Sequence, residues 1–343
     1  MTATFQQLAA SCFLISPNAA LRPRIDPNSP PSIVAQTPWL CDYFYFNRST
    51  LPPKIGTDYF NCGFVTRKDG DWLMVRRSRA VNGLPFGMND IVAFKLLDGT
   101  IPTDAHPLAI RAFYGNEHFE DPRAIYHDGK TYVSCCNFIW APRNSGAHQI
   151  MCEFDDNWQL VKRYDPVYGG NGAHCFANKR QEKNWIWMVY NGEPHLVYSA
   201  NPHDVARFTW DFKLVERYES KPGLHWSWGQ IRGGTPPVLH NGEYWTFYHS
   251  SVESSAQGRC RQYFLGAYAF EARPPFKITR YTKEPLLVGS KQDVWAPGKP
   301  FVVFGQGSTI RHGEWFVTLG VNDMASAYFC PPHAELERLM IAL

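Results

Sequence analysis

Glu120-Asp121-Pro122-Arg123 is the stretch of this chain best equipped for acid–base chemistry. Two adjacent carboxylates, a proline and an arginine run directly into the alternating segment 124–133. Proline fixes its own φ and biases Asp121 towards extended backbone. Successive side chains of an extended segment point to opposite faces, so one of Glu120 and Asp121, not both, is expected to face a given cleft. Taken alone, the tetrapeptide reads equally well as an ordinary strand entrance with solvated charges.

Other polar residues stand beside apolar runs where a fold alone does not require them. They include Asn61, Arg76, Asn89, Glu117, Arg143, Lys183, His203 and His249, with Asn322-Asp323 near the end. Arg232-Gly233-Gly234-Thr235-Pro236-Pro237 combines two glycines and two prolines, a backbone shaped either for close approach or for a tight turn. The chain contains no phosphate-binding G-x-x-x-x-G-K-[ST] loop, no dinucleotide fingerprint and no nucleophile-elbow motif. Nor is there a C-x-x-C pair or a His/Cys cluster at zinc spacing, so no metal is expected.

Composition narrows the class. The 343 residues are 44% hydrophobic and 19% charged, which permits a large core and argues against wholesale disorder. A net charge of +3, without a dense Lys/Arg run, gives no footprint for nucleic acid. No apolar stretch reaches the length of a membrane span. The first sixteen residues lack a basic n-region, so a cleaved signal is not expected. Nine cysteines, an odd number, fit reduced buried thiols in a cytoplasmic protein better than a disulfide framework. Aromatics reach 15%, an enrichment that goes with β-rich folds and with sugar-stacking clefts, although core and strand positions account for most of it.

A recurring turn-plus-strand pattern supplies the organisation. Asp69-Gly70, Asp128-Gly129, Asn241-Gly242 and His312-Gly313 each lead into an apolar strand, and Gln181 to Tyr190 reads as a degenerate unit without glycine, centred near residue 184. Five units of this length each accommodate a four-stranded antiparallel sheet, and they predict an all-β five-bladed β-propeller over 56–343. Residues 1–55, rich in proline, read as an irregular N-terminal extension packed on that propeller. The single amphipathic helix is expected at Ala334 to Ala342. In a propeller, strand entrances from every blade gather at an axial pocket, which gives the opening tetrapeptide company.

Glu120-Asp121-Pro122-Arg123, Glu182-Lys183-Asn184-Trp185 with Pro202-His203, Gly233 to Pro237 with Tyr248-His249, and Gly320-Val321-Asn322-Asp323 follow one another in an order that resembles glycoside hydrolase family 130. These are the five-bladed β-mannoside phosphorylases and related mannosyltransferase/phosphorylases, and the resemblance spans about residues 58–330. It implies Asp121 as the single catalytic acid of an inverting reaction, in which phosphate attacks the anomeric carbon and the acid protonates the leaving oxygen through a sugar hydroxyl. It implies Lys183, His203 and Arg143 as phosphate ligands, and Asn61, Arg76, Asn89, Arg123, His249 and Asp323 as sugar-holding residues. Ser250 stands where the family has glycine after Tyr-His, and Asn322 where Ala precedes Asp; both departures bear on the acceptor side.

A phosphate dianion calls for cationic donors and arrives already ionised, so a phosphorylase needs an acid and no base. A hydrolysing inverting enzyme needs a second carboxylate, roughly 6.5–9.5 Å from the first. Glu117 and Glu120 are the candidates for that base. The expectation is therefore a glycoside phosphorylase whose partners are an oligosaccharide or sugar phosphate, with inorganic phosphate as co-substrate and no further cofactor. A sugar-nucleotide-dependent transferase, a β-mannoside hydrolase and a non-catalytic sugar-binding propeller remain alternatives, and a homo-oligomer is compatible with all of them.

Overall fold

A computed structural model of the chain describes residues 44–45, 57–79, 88–96, 106–110, 117–139, 146–168, 182–254, 260–289, 301–323 and 325–343. Its strands fall into five antiparallel sheets arranged as the blades of a propeller. The first blade is β2 (Thr57–Arg67), β3 (Gly70–Arg79), β4 (Met88–Lys95) and β5 (His106–Pro107). The second is β6 (Glu117–His127), β7 (Lys130–Ile139), β8 (Gly146–Phe154) and β9 (Leu160–Tyr164), and the third is β10 (Ile186–Tyr190), β11 (Glu193–Ala200), β12 (His203–Phe208) and β13 (Leu214–Ser220). Blade four contains β14 (Val238–His240), β15 (Glu243–Ser254), β16 (Cys260–Glu271) and β17 (Ile278–Thr282), with β18 (Leu287–Val288) against β16. Blade five is β19 (Val303–Arg311), β20 (Glu314–Val321) and β21 (Ala325–Phe329), and its outer strand is β1 (Phe44–Tyr45), donated by the N-terminal stretch. The rest of the expected 1–55 extension lies outside the described residues.

The hairpin turns explain why the glycine pattern was visible. Asp128-Gly129, Asn241-Gly242 and His312-Gly313 have positive φ at both residues, the two-residue geometry whose twist matches the flanking strands. The third blade follows the same rule at Asn191 (φ 49°) and Gly192 (φ 77°), between β10 and β11. Its turn is therefore at Asn191-Gly192, and Glu182–Trp185 instead leads into the inner strand β10.

Five buried clusters fill the five seams between blades. Val65, Met74 and Ile91 meet Val133 and Ile150 between blades one and two. Trp185 and Trp187 meet Tyr132 and Met151 between two and three, and Ile186 and Val197 meet Tyr268 and Phe270 between three and four. Trp245 and Phe247 face Trp315 and Val317 in the next seam, and Phe64 and Leu73 face Phe316 and Tyr328 in the last. Because both faces of every blade are covered, the strands read as nearly continuous apolar runs, and most of the aromatic enrichment is core. The terminal helix, α1 (His333–Arg338), is shorter than expected. Its continuation is β22 (Met340–Ala342), which extends blade four by pairing with β17.

Candidate active site

The inner strands bring their irregular ends together around the axis. β2 carries a bulge at Asn61, between the pairs Phe60–Arg76 and Cys62–Val75, and β6 carries one at Asp121, between Glu120–Cys136 and Arg123–Ser134. Both bulged residues are left-handed, with φ 53° and 54°. Asn184, Asn322 and Asp323 share that conformation, with φ from 50° to 64°. Asn and Asp tolerate it better than other non-glycine residues, and bulges re-aim side chains. Asp121 is thus not extended as its proline neighbour predicted. The bulge also breaks the alternation, so Glu120 and Asp121 both reach Arg76.

Asn61 is the keystone of the cluster. Fully buried, its Nδ2 donates to Asp121 Oδ1 at 3.1 Å and to Asp323 Oδ1 at 2.9 Å. One amide therefore fixes two carboxylates from blades two and five. Gly320 makes room for it, since a Cβ there would lie 2.4 Å from Asn61 Oδ1. A close approach of a second kind brings blades one and two together: a Cβ on Gly63 would stand 2.3 Å from the Pro122 carbonyl oxygen.

Around Asp121 the charges are interleaved. Arg76 Nη2 donates to Glu120 Oε1 at 2.8 Å, while its Nη1 lies 3.8 Å from Asp121 Oδ1. Lys183 Nζ donates to Glu120 Oε2 at 3.3 Å. Burial, then the charge of Glu120, raises the Asp121 carboxyl above the usual carboxylate range, and Asp323 adds to this against the pull of Arg76 and Lys183. Burial works against the Lys183 ammonium, but Cys136, Glu120 and Asp121 outweigh it and raise its pKa. The Cys136 thiol, buried beside these groups, is pushed up to about 12.

The remaining expected residues divide sharply. Arg123 is buried at 2% exposure and is taken up by neutral oxygens of its neighbours: Nε donates to Gly234 O at 2.5 Å, Nη1 to Asp121 O at 3.1 Å and Nη2 to the side-chain Oδ1 of Asn184 at 3.3 Å. Burial brings its pKa down to about 10. Asn89 is buried on the face of blade one that Arg76 shares, its Oδ1 without a partner. Glu117 belongs to a separate group, accepting from Asn137 Nδ2 and, at 3.2 Å, from Arg163 Nη2.

His203 is not brought to the cluster. It lies at 0% exposure in the seam between blades three and four, edge-on to Tyr268, with Nδ1 2.7 Å from Phe276 O. Burial lowers its pKa to about 4, so it offers no cation to a phosphate. His249 is also buried, stacked on Tyr263, and burial with the nearby Arg123 and Arg232 charges holds it well below its usual range. Arg143 lies outside the described residues. Ser250, in place of glycine, accepts from Trp226 Nε1 and donates to Trp228 O, both at 2.7 Å, and so anchors the segment that approaches blade four.

Beside Lys183 opens a cavity of about 310 Å³, lined by Glu182, Lys183, Asn184, Trp185, Tyr198, Ser199, Gln230, Ile231, Arg232 and Gly233. Among the described residues, no group of three or more His, Cys, Asp or Glu is arranged to hold a metal ion, and no helix is long and apolar enough to cross a membrane.

The architecture is that of known carbohydrate-active enzymes. β-1,2-Mannobiose phosphorylase from Listeria innocua matches 87% of this chain and 99% of its own, at 15% identity and a TM-score of 0.63. A structure from the GH130 family of mannoside phosphorylases, which contains glycoside hydrolases that target β-1,2 mannosidic linkages in Candida mannan, matches over 84% and 93%, at 12% identity and 0.62. MPT-1, a GDP-Man-dependent mannosyltransferase from Leishmania mexicana, matches over 87% and 92%, at 12% identity and 0.58. Such likenesses establish the five-bladed fold and leave the reaction open. No family model and no curated protein sequence matches the chain.

Proposed function

We propose that the protein is an inverting glycoside phosphorylase of β-mannosides, working in the cytoplasm, with Asp121 as its single acid. The observation that carries this reading is the Asp121 carboxyl itself: it stands at the bulge of the inner strand β6 beside Arg76, keeps its proton to higher pH than an ordinary carboxyl, and feels the Lys183 cation. In the step proposed, a phosphate oxygen forms a bond to the anomeric carbon as the glycosidic C–O bond breaks. Asp121 supplies the proton that the leaving oxygen takes up. Glu120 acts as counter-ion to Arg76 and Lys183, and Glu117 is paired with Arg163, so neither is the natural base for a water nucleophile. The buried free thiols Cys62, Cys135, Cys136 and Cys152 fit a reducing compartment.

A second reading is transfer from a sugar nucleotide. It is favoured by the room in the cavity beyond Lys183, which reaches the lower end of the roughly 300–1,000 Å³ usual for organic ligands. Incubation with mannose 1-phosphate and a panel of acceptor sugars, followed by assay of free phosphate, separates the readings. Phosphate release supports the phosphorylase. Turnover of GDP-mannose alone moves the assignment to the transferase, water-driven release of mannose to a hydrolase, and binding without turnover to a sugar-binding propeller.

The pH profile carries its own prediction. A general acid must be protonated in the free enzyme, so kcat/KM falls as pH rises through the Asp121 pKa. After burial, Glu120 is the main cause of that raised value. Glu120→Gln removes the repulsion and leaves Arg76 and Lys183 to act on Asp121, so the alkaline limb is expected to move to lower pH. A limb that stays in place would assign it to another group.

A further inference from the structure

Arg232 stands outside every role described so far. Its backbone is clamped to β15, with Arg232 N donating to His249 O at 2.8 Å and His249 N to Arg232 O at 3.2 Å. The next residue, Gly233, presses against blade three, where a Cβ would meet Asn184 O at 2.1 Å. The chain is thereby held against the residue that follows Lys183, and both cations border the same cavity.

A guanidinium half withdrawn from water needs a partner, because desolvation penalises the ion. Other partly buried arginines in this protein have one: Arg76 has Glu120, Arg77 has Asp90, Arg163 has Glu117 and Arg311 has Asp71. Arg232 is half-buried, and among the described residues no carboxylate stands within ion-pair distance of it. The cavity's own carboxylate, Glu182, is engaged by neutral donors, Trp185 Nε1 at 3.1 Å and Tyr198 OH at 3.3 Å. The Arg232 charge is also felt by its neighbour, since it helps to keep His249 neutral.

We propose that Arg232 is the second cation of the anion site and, with Lys183, holds the phosphate group of the co-substrate in this cavity. The guanidinium supplies parallel N–H donors and the ammonium a point charge, complementary ways of meeting phosphate oxygens. Arg232 thus fills the place that His203, neutral and enclosed, cannot. The assignment rests on the glycosyl-transfer reading of Asp121.

The test is calorimetric titration of the full chain with inorganic phosphate, without sugar, for the wild type, Arg232→Gln and Arg232→Lys. Loss of one charge-assisted partner is expected to weaken the phosphate Kd by about tenfold or more in Arg232→Gln, with partial recovery in Arg232→Lys. The thermal midpoint should hold, because the clamp to His249 is backbone to backbone. Equal affinity in wild type and Arg232→Gln overturns the assignment, as does a wild-type protein that takes up no phosphate. If Arg232→Gln fails to fold, Arg232→Lys decides: it keeps the charge but loses the fork, so unchanged affinity also overturns the proposal. Arg232-dependent phosphate binding in a protein that turns over no mannoside keeps this inference and removes the phosphorylase reading. Phosphorolysis whose phosphate KM is indifferent to Arg232 does the reverse.

Discussion

On the phosphorylase reading proposed above, Asp121→Asn is expected to lower kcat for β-mannoside phosphorolysis by about 10²–10⁴-fold, the range for removing a positioned general acid, while sugar binding stays within a few-fold. The replacement is nearly isosteric. Its carbonyl oxygen can still accept from Asn61 Nδ2, which now donates to Asp121 Oδ1 at 3.1 Å, and the bulge at φ 54° suits Asn as well as Asp. What disappears is the transferable proton. Burial and the Glu120 charge raise the carboxyl above the usual carboxylate range, and its contact to Arg76 is long, 3.8 Å against 2.8 Å from Arg76 to Glu120, so the amide costs the fold little. Steady-state kinetics and calorimetric titration with a mannoside, run on the same preparation, check both halves. A variant with near-normal kcat ends the assignment of Asp121 as acid. One that loses sugar binding in parallel with turnover shows that the carboxyl holds substrate, not that it donates a proton.

Much of the ring was legible because local rules enforce it. Asp128-Gly129, Asn241-Gly242 and His312-Gly313 announce hairpins through the positive φ that both positions need. Asn191-Gly192 obeys the same rule, and its Asn-Gly pair is as plain in the sequence as the other three. The bulges were hidden for the opposite reason. Periodicity is read from alternation, and Asn61 and Asp121 sit where alternation fails. Asn61 looked like a sugar ligand because the sequence does not show that its amide spans 262 residues to reach Asp323. The motif implies His203 as a phosphate ligand, whereas its strand position turns the ring into the seam beside Tyr268 and Phe270. In the sequence Arg232 is only part of a turn; that no carboxylate among the described residues stands within ion-pair distance of it is a property of space, and no one-dimensional pattern reports it.

Arg123 sets the other large expected effect, and it tests whether the acid site depends on a single buried guanidinium. Three inner-strand segments converge on it: Gly234 O from blade four, Asp121 O from blade two and Asn184 Oδ1 from the approach to blade three. Truncation to Ala leaves the buried Gly234 carbonyl and the part-buried Asp121 carbonyl and Asn184 Oδ1 without this donor, and leaves a void the size of the side chain. Each unsatisfied buried group costs about 1–3 kcal/mol, and the cavity left by a large buried side chain typically adds about 2–5 kcal/mol. Arg123→Ala should therefore lose about 3–5 kcal/mol of folding stability, a large share of the roughly 5–15 kcal/mol that holds a domain together. Arg123→Lys should recover little, because a single ammonium cannot span donors aimed in three directions. Denaturant unfolding monitored by tryptophan fluorescence measures this as a fall in midpoint at constant slope. Activity adds a second readout, since the bond to the Asp121 carbonyl holds the bulged residue from behind. At denaturant-free conditions where the variant is still folded, kcat should fall further than the folded fraction does. If Arg123→Ala keeps wild-type stability, the three-blade junction is held by backbone packing at Gly63 and Gly233, and the guanidinium is free for the sugar-binding part that the family resemblance implied for it.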